Sequence, residues 1–412
     1  MSFGTRVVLG LLAGLAVGAL LAAVGSPGLN HLVAALEPIG ALWLNALRMT
    51  VIPLVVAMII TGVASAAETA ATGRIAMRAL LLFVGLLTLG AILGAVLTPA
   101  ALAAWPVNPQ AAAAFRASAT HAATEIPQLP PMRDWIVNIV PANPFKSAAD
   151  GELLPLVIFA LFIGFAAARI KPEMRTSFLG FFQALMETML VIVRWVLWIA
   201  PLGVFALALA VGARGGLHVA EALGQYLVLM CALSVVITIL AYPAVVLFGR
   251  VPLRRFAEVM APAQALAIST QSSLATLPAM LECARKLGIP ERVTSITLPL
   301  AVSLFRMTSP IVNISIVIFV AHVYGLHLSV PLLTVGVVLA VVTSFGVVGL
   351  PSQLSLFNTT VPISLAMGVP LDLLPLLLAV EVIPDIFRTL GNVTSDVAVT
   401  AIVARGEGSG AS

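Results

Sequence analysis

The chain has 412 residues, 61% of them hydrophobic and only 9% charged, with a net charge of +4. Soluble domains average about 25% charged residues, so an ordinary soluble domain is excluded, and no basic run interleaved with aromatics offers a nucleic-acid surface. Repeated apolar runs of spanning length specify an all-α membrane protein; a β-barrel would show short alternating segments instead.

The first run follows Arg6 and extends to about residue 25. A signal peptide would occupy the same place, but the run is long for that role and reads as a first transmembrane helix. Further spans are expected over about 40–66, 77–104, 151–168, 177–212, 219–248, 290–324 and 370–404. Segment 105–139, rich in Ala, Pro and Thr where it begins, reads as an external loop. Two more intervals, 254–287 and 330–368, are apolar but interrupted, the first by AISTQSSLATLP and the second by SFGVVGLPSQLS. Each is too long for a loop and too broken for one clean span. Non-helical backbone at membrane depth needs shielding by protein or a cavity, and paired breaks of this kind mark transporter sites. They read as two re-entrant helical hairpins, against the plainer alternative of interfacial loops. The predicted fold is therefore eight transmembrane helices plus two hairpins.

Lysine and arginine placement sets the orientation. With the N-terminus inside, Arg6, Arg74, Arg78, Arg169, Lys171, Arg175, Arg250, Arg254, Arg255, Arg285, Lys286, Arg292 and Arg405 fall on the cytoplasmic side, and Arg116, Arg133, Lys146 and Arg214 outside. Both termini are expected in the cytoplasm. Cys231 and Cys283 lie in or beside apolar segments and read as packing residues. The histidines show no metal-ligand spacing, and no GxxxxGK[ST], GxSxG or HExxH motif is present, so no enzyme signature, metal or cofactor is expected.

The last segment, 371–405, is apolar yet carries Glu381, Asp385, Arg388, Asn392 and Asp396. A charge at bilayer depth costs at least about 2.5–3.5 kcal/mol, so such residues usually face a partner or a wet cavity. Asp385, Arg388, Asn392 and Asp396 are spaced to share one helix face. A stripe with both charge signs suits a zwitterionic or anionic solute; an ion-paired helix contact with no ligand is the alternative.

Several motifs extend this reading. Pro38-Ile39-Gly40, Arg48-Met49 and Ile52-Pro53-Leu54 come first, followed by Ile139-Val140-Pro141-Ala142-Asn143-Pro144-Phe145 and Ala200-Pro201-Leu202-Gly203-Val204-Phe205. Ser272-Ser273 with Ala275-Thr276-Leu277-Pro278, and Asp385, Arg388-Thr389, Asn392-Val393-Thr394 and Asp396 with Thr400-Ala401-Ile402-Val403-Ala404, complete the series. In this order and spacing the chain resembles the dicarboxylate/amino acid:cation symporter family of glutamate and aspartate transporters over nearly its whole length. The resemblance implies a homotrimer embedded in lipid in the inner membrane of a prokaryote. Residues 1–76 and 140–248 would form mainly the scaffold, and residues 77–104 and 254–405 mainly a mobile domain that carries substrate through the membrane. It further implies that Arg388 reads the side-chain carboxylate of an acidic amino acid, that Asp385 holds its ammonium and Asn392 its main-chain carboxylate, with Thr389, Ser272, Ser273, Ser309 and Gly349 around them. A guanidinium fork is the natural bidentate reader of a carboxylate.

Three departures from the family pattern bear on the driving ion. The seventh-helix motif Asn-Met-Asp-Gly-Thr, which builds sodium sites in the family, is here Phe305-Arg306-Met307-Thr308-Ser309. Third-helix hydroxyl positions hold Ala79, Leu82 and Phe83, none of which offers the oxygen that a hard cation requires. The second hairpin's glycine-rich tip becomes Gly349-Leu350-Pro351-Ser352-Gln353-Leu354. Asp396, matching a sodium-ligating aspartate, is retained. The expectation is that Arg306, placed mid-helix, pairs with Asp396 and stands where a sodium charge would otherwise sit, so that Arg306, Asp396 and Asn392 form a cation site or its substitute. Sodium coupling is then lost or reduced. Proton coupling through Glu381, Asp385 or Asp396, exchange, facilitated diffusion and another coupling cation all stay open. So do a C4-dicarboxylate or other amino acid symporter and, in a different class, an anion-conducting channel.

Overall fold

With no water available at membrane depth, an apolar chain satisfies its backbone polar groups by coiling into helices. The computed structural model describes residues 3–24, 27–71, 73–117, 140–150, 153–215, 218–345 and 352–408, and all regular structure among them is α-helical. In chain order the helices are α1 (Phe3–Val24), α2 (Pro27–Ala71), α3 (Arg74–Ala104), α4 (Pro109–Ala117), α5 (Pro144–Ala149), α6 (Leu153–Ala167), α7 (Pro172–Trp198), α8 (Ala200–Gly215) and α9 (His218–Gly249). They continue as α10 (Leu253–Thr270), α11 (Ser273–Lys286), α12 (Glu291–Leu304), α13 (Thr308–Tyr324), α14 (Val330–Phe345), α15 (Ser352–Ala366), α16 (Leu374–Val380) and α17 (Val382–Gly408).

Several boundaries differ from expectation. Residues 109–117, expected as loop, form α4, while 118–139 lie outside the described residues. The Asn108 side chain starts this helix by accepting from the Gln110 N–H at 2.9 Å, and Phe115 and Ala111 bury completely against its neighbours. The expected single span 177–212 is two helices, α7 and α8, divided at Ile199. Pro201 has no N–H to continue the ladder of α7 and instead opens α8, where that N–H would be unpaired anyway. The span 290–324 is also interrupted: Phe305 (φ −108°, ψ 84°) leaves the helical region and α13 restarts at Thr308.

The helices pack in two groups. In the first, α1 lies along α8, and α2 lies against α6, α7 and α8. The α1–α8 contact is backbone to backbone because Gly10, Gly14 and Gly18 repeat on one face of α1; a Cβ built on Gly14 would stand 2.6 Å from the Phe205 carbonyl oxygen. Trp43 of α2 donates to the Val196 carbonyl at 2.9 Å, satisfying the last turn of α7. In the second group α17 is central, with α9, α10, α11 and α12 packed along it, α13 against α3, and α14 paired with α15. Gly94 of α3 leaves room for Ile311 and Ile314 of α13, and the Thr98 hydroxyl donates to Ser315 Oγ at 2.6 Å across the same contact. α9, expected with the scaffold, packs most extensively along α17.

Four stretches among the described residues are long and apolar enough to cross a membrane: Arg74–Ala104, Pro172–Trp198, Val219–Gly249 and Glu291–Tyr324. The apolar window of Glu291–Tyr324 is 94% buried, against 11% for Pro172–Trp198, so α12 and α13 form the interior and α7 the rim. At the opposite end of α13, Arg116 of α4 donates to the Val323 carbonyl at 2.9 Å, beside the left-handed Gly325 (φ 69°) that ends the helix.

Candidate functional site

Two interruptions meet α17. One is the break at Phe305–Met307 between α12 and α13; the other is the single residue Glu381 that joins α16 to α17. Glu381 precedes Arg388 by seven residues, two helical turns, so the two side chains share a face. Both are buried, at 0% and 3% exposure, and Arg388 Nη1 lies 2.5 Å from Glu381 Oε1. The second carboxylate oxygen accepts from the Tyr226 hydroxyl of α9 at 3.2 Å. Tyr226 is itself held against Phe319 of α13, with ring centroids 5.5 Å apart. The remaining fork of Arg388, Nη2, points at Ser309 Oγ, 3.4 Å away. A buried guanidinium without such partners would be strongly unfavourable, so this arrangement is a condition of the fold as well as a binding feature.

The start of α13 supplies the next layer. A helix N-terminus leaves backbone N–H groups unpaired. Here the Thr308 N–H donates to Asn392 Oδ1 at 3.0 Å, and the Thr308 hydroxyl lies 2.9 Å from the same oxygen and 3.2 Å from the Arg388 carbonyl. Asn392 thus caps α13 from a neighbouring helix. Its Oδ1 is taken, and its Nδ2 is the donor left without a protein partner among the described residues.

Helices α10 and α11 pack on each other and both rest on α17. The turn between them uses Gln271 in the left-handed region (φ 51°), and Ser272 caps α11 by accepting from the Ala275 N–H at 3.2 Å. Ser273 is buried at the same tip. Gln264 of α10 donates to Thr394 Oγ1 of α17 and to the Tyr242 hydroxyl of α9, both at 2.9 Å.

Arg306 lies in the break itself, not mid-helix as expected, and its charge couples to those of Arg388, Asp385 and Asp396. Asp396 is 1% exposed and neither carboxylate oxygen has a hydrogen-bond partner. The expected direct Arg306–Asp396 bond is therefore not formed; the two act on each other through space. Phe305, the residue before Arg306, stacks on Phe83 of α3 with centroids 4.7 Å apart and planes at 17°. Both rings are buried, at 1% and 0% exposure.

The structure thus brings Arg388, Asn392, Ser309, Glu381 and Tyr226 together, buries Thr389 beside them, and sets Asp385, half-buried, one turn before Arg388. Gly349 lies outside the described residues. Among the described residues no group of His, Cys, Asp and Glu is arranged to hold a metal ion. Sequence reasoning noted Glu381 as a charge but did not join it to Arg388, although their two-turn spacing was visible. It had no signal for Tyr226, 155 residues away, or for the cap between Thr308 and Asn392. Chemically, the cluster offers a guanidinium already engaged with one carboxylate, a free amide donor, and more carboxyl than guanidinium groups.

Comparison with known proteins follows the same lines. The sodium:dicarboxylate symporter family matches the chain over residues 3–406. The proton/sodium-glutamate symport protein of Bacillus subtilis (strain 168) is 30% identical over 414 residues, covering 98% of this chain and 92% of that protein. The proton/glutamate-aspartate symporter of Escherichia coli (strain K12) is 26% identical over 374 residues, 90% of this chain and 85% of that protein. C4-dicarboxylate transport protein 2 of Mesorhizobium japonicum is 26% identical over 389 residues, 90% of this chain and 84% of that protein.

Proposed function

Since the chain belongs to the sodium:dicarboxylate symporter family, and is an integral membrane protein and a transporter, not an enzyme, we propose that it carries acidic amino acids, L-aspartate or L-glutamate, by elevator-type alternating access. The observation that carries this reading is the buried Arg388 guanidinium with Asp385 one turn before it and the free Asn392 amide nitrogen one turn after. That order offers a carboxylate reader flanked by an ammonium acceptor and a second carboxylate donor. The proposed architecture is eight spanning helices with two hairpins, α10–α11 and α14–α15. The hairpins, with α3, α12, α13 and α17, form the moving domain, and α9 goes with it because it packs along α17. α1, α2 and α6 to α8 form the scaffold of a homotrimer in the inner membrane of a prokaryote, with both termini cytoplasmic and lipid around it. The outward face of α7 supports a neighbouring subunit: Glu187 and Arg194 are exposed there inside an apolar window.

Sodium coupling is proposed to be lost or reduced. Positions where the family pattern offers cation ligands hold the stacked rings of Phe83 and Phe305, and Arg306 supplies a permanent cation beside Asp385 and Asp396. Phenyl rings give no oxygen ligand to a hard cation. A second reading, a C4-dicarboxylate symporter, draws support from the dicarboxylate-transporting relatives.

Uptake of radiolabelled aspartate and succinate into proteoliposomes, with sodium, potassium and pH varied separately, tests both. Saturable, stereoselective aspartate uptake without a sodium requirement is expected. Succinate uptake alone would favour the second reading, and ion conductance without saturable uptake would make the protein a channel.

A further inference from the structure

Away from the site, basic residues gather at the corner where α9 ends, α10 begins, and α11 and α17 finish. α9 belongs to a stretch of membrane-crossing length, Val219–Gly249, so this corner lies at the edge of the membrane. We propose that it binds one anionic phospholipid: the headgroup phosphate sits on Arg250, Arg255 and Arg405, and the acyl chains lie against Leu247, Phe248 and Leu253.

Two of the guanidiniums are held in place. Arg405 Nη1 of α17 donates to the Phe248 carbonyl at 3.1 Å, and Arg255 Nη2 of α10 donates to the Lys286 carbonyl at 2.9 Å. Each bond caps a helix C-terminus, of α9 and α11, where backbone carbonyls lack partners within the helix. A guanidinium has several N–H donors, so capping with one leaves others for an acceptor outside the protein. The carboxylates of the same corner are already engaged: Glu258 with Arg254 at 2.7 Å, and Glu282 with Arg285 at 2.8 Å and Lys286 at 3.7 Å. Among the described residues no carboxylate pairs with Arg250, Arg255 or Arg405. The charge left over is positive, and phosphate oxygens are natural acceptors for a guanidinium fork.

Arg250 adds an independent sign. It takes the left-handed conformation (φ 54°) that favours glycine, although Gly249 stands beside it. Gly249 is committed elsewhere: a Cβ there would meet Val245 Cγ2 at 3.1 Å and Ala401 Cβ at 3.5 Å, so the glycine lets the end of α9 close on α17. A bulky cation in a strained conformation costs stability, and such positions gather at binding sites. Beside it Leu247, Phe248 and Leu253 are each more than half exposed. A free phosphate leaves those apolar side chains uncovered. A lipid covers them while its headgroup meets the arginines, the usual form of a basic lipid pocket at a membrane edge. A basic edge on a span also orients a membrane protein, but that needs charge alone, not fixed guanidiniums or a strained backbone.

Native mass spectrometry on the purified full-length protein in detergent tests this, with dioleoylphosphatidylglycerol and dioleoylphosphatidylcholine titrated separately. Inorganic phosphate is added as competitor, against chloride of equal ionic strength. Wild type should bind one phosphatidylglycerol per chain, prefer it to phosphatidylcholine by about tenfold or more, and keep it in phosphate. An arginine near an anionic lipid surface is worth about fivefold in affinity, so Arg250→Gln, Arg255→Gln and Arg405→Gln combined should weaken phosphatidylglycerol binding about a hundredfold. Arg74→Gln removes an exposed cation at the edge of another membrane-crossing stretch and should leave the binding unchanged. Equal binding of the two lipids by wild type overturns the proposal even where the triple variant does not fold. Undiminished binding in the triple variant overturns it too. An equal loss in Arg74→Gln would reduce the corner to general charge, and displacement of the lipid by phosphate would make the occupant a free anion; either result sinks the lipid site.

Discussion

If Arg388 reads a substrate carboxylate as proposed, that substrate competes with Glu381 for one guanidinium. Arg388→Cys should abolish acidic amino acid binding, since removing one partner of a buried charge pair costs about 3–5 kcal/mol, at least about a hundredfold in affinity. The same substitution leaves Glu381 without its cation at 0% exposure, so the variant should also melt earlier. Arg388→Cys combined with Glu381→Gln should recover part of that stability but none of the binding. Thermal denaturation in detergent beside aspartate titration separates the two effects, and full recovery of binding would show that Arg388 does not touch substrate. Asp385 makes a different kind of choice. If it receives the ammonium, Asp385→Ser should weaken aspartate far more than succinate in competition uptake assays, whereas equal loss for both would assign it a structural role.

Among the elements, the closest contact is α1 on α8, and its basis is the absence of side chains at Gly10, Gly14 and Gly18. Gly14→Ile should force the helices apart, because a Cβ there already meets the Phe205 carbonyl oxygen at 2.6 Å and the Ala208 Cβ at 2.7 Å. Overpacking of this kind costs about 1–3 kcal/mol or more. Gly85→Ala on α3, with nothing within 4 Å of the added Cβ, is the matched control and should melt no earlier than wild type. Elements set by apolar runs, such as α1, α3 and α9, were legible in the sequence, as were the interruptions at Gln271 and Ser272, because both are local properties of the chain. α4 was not legible: it is only nine residues long, in a stretch rich in Ala, Pro and Thr, and it is held by docking Phe115 and by the Arg116 bond to Val323. The stripe of Asp385, Arg388, Asn392 and Asp396 could be read from helical spacing, but what each residue touches could not. Asn392 binds Thr308 and Arg388 binds Glu381 only because α13 restarts and α16 ends beside them, a consequence of packing between distant segments.

For the whole molecule, the proposed loss of sodium coupling rests on the charges buried in the site. Aspartate affinity should agree within a few-fold in sodium, potassium and choline buffers of equal ionic strength. A steep sodium dependence would mean that Asp396, with both oxygens unbonded, still builds a working cation site. Arg306→Met should bind substrate poorly in every salt or regain a partial sodium response through Asp396. The position of Arg306 in the α12–α13 break has an electrical consequence too. A sodium ion that rides inward and dissociates leaves its charge behind, so it adds one positive charge to what each turnover moves. In the proposed elevator cycle, a guanidinium fixed to the backbone would ride inward with the loaded carrier and outward with the empty one. A unit charge crossing the full membrane field exchanges about 2.3 kcal/mol per 100 mV, and for Arg306 the two passages cancel. It therefore adds nothing to steady current but makes each half-cycle respond to voltage in the opposite sense, a transient displacement that recordings from vesicles on a solid support would resolve.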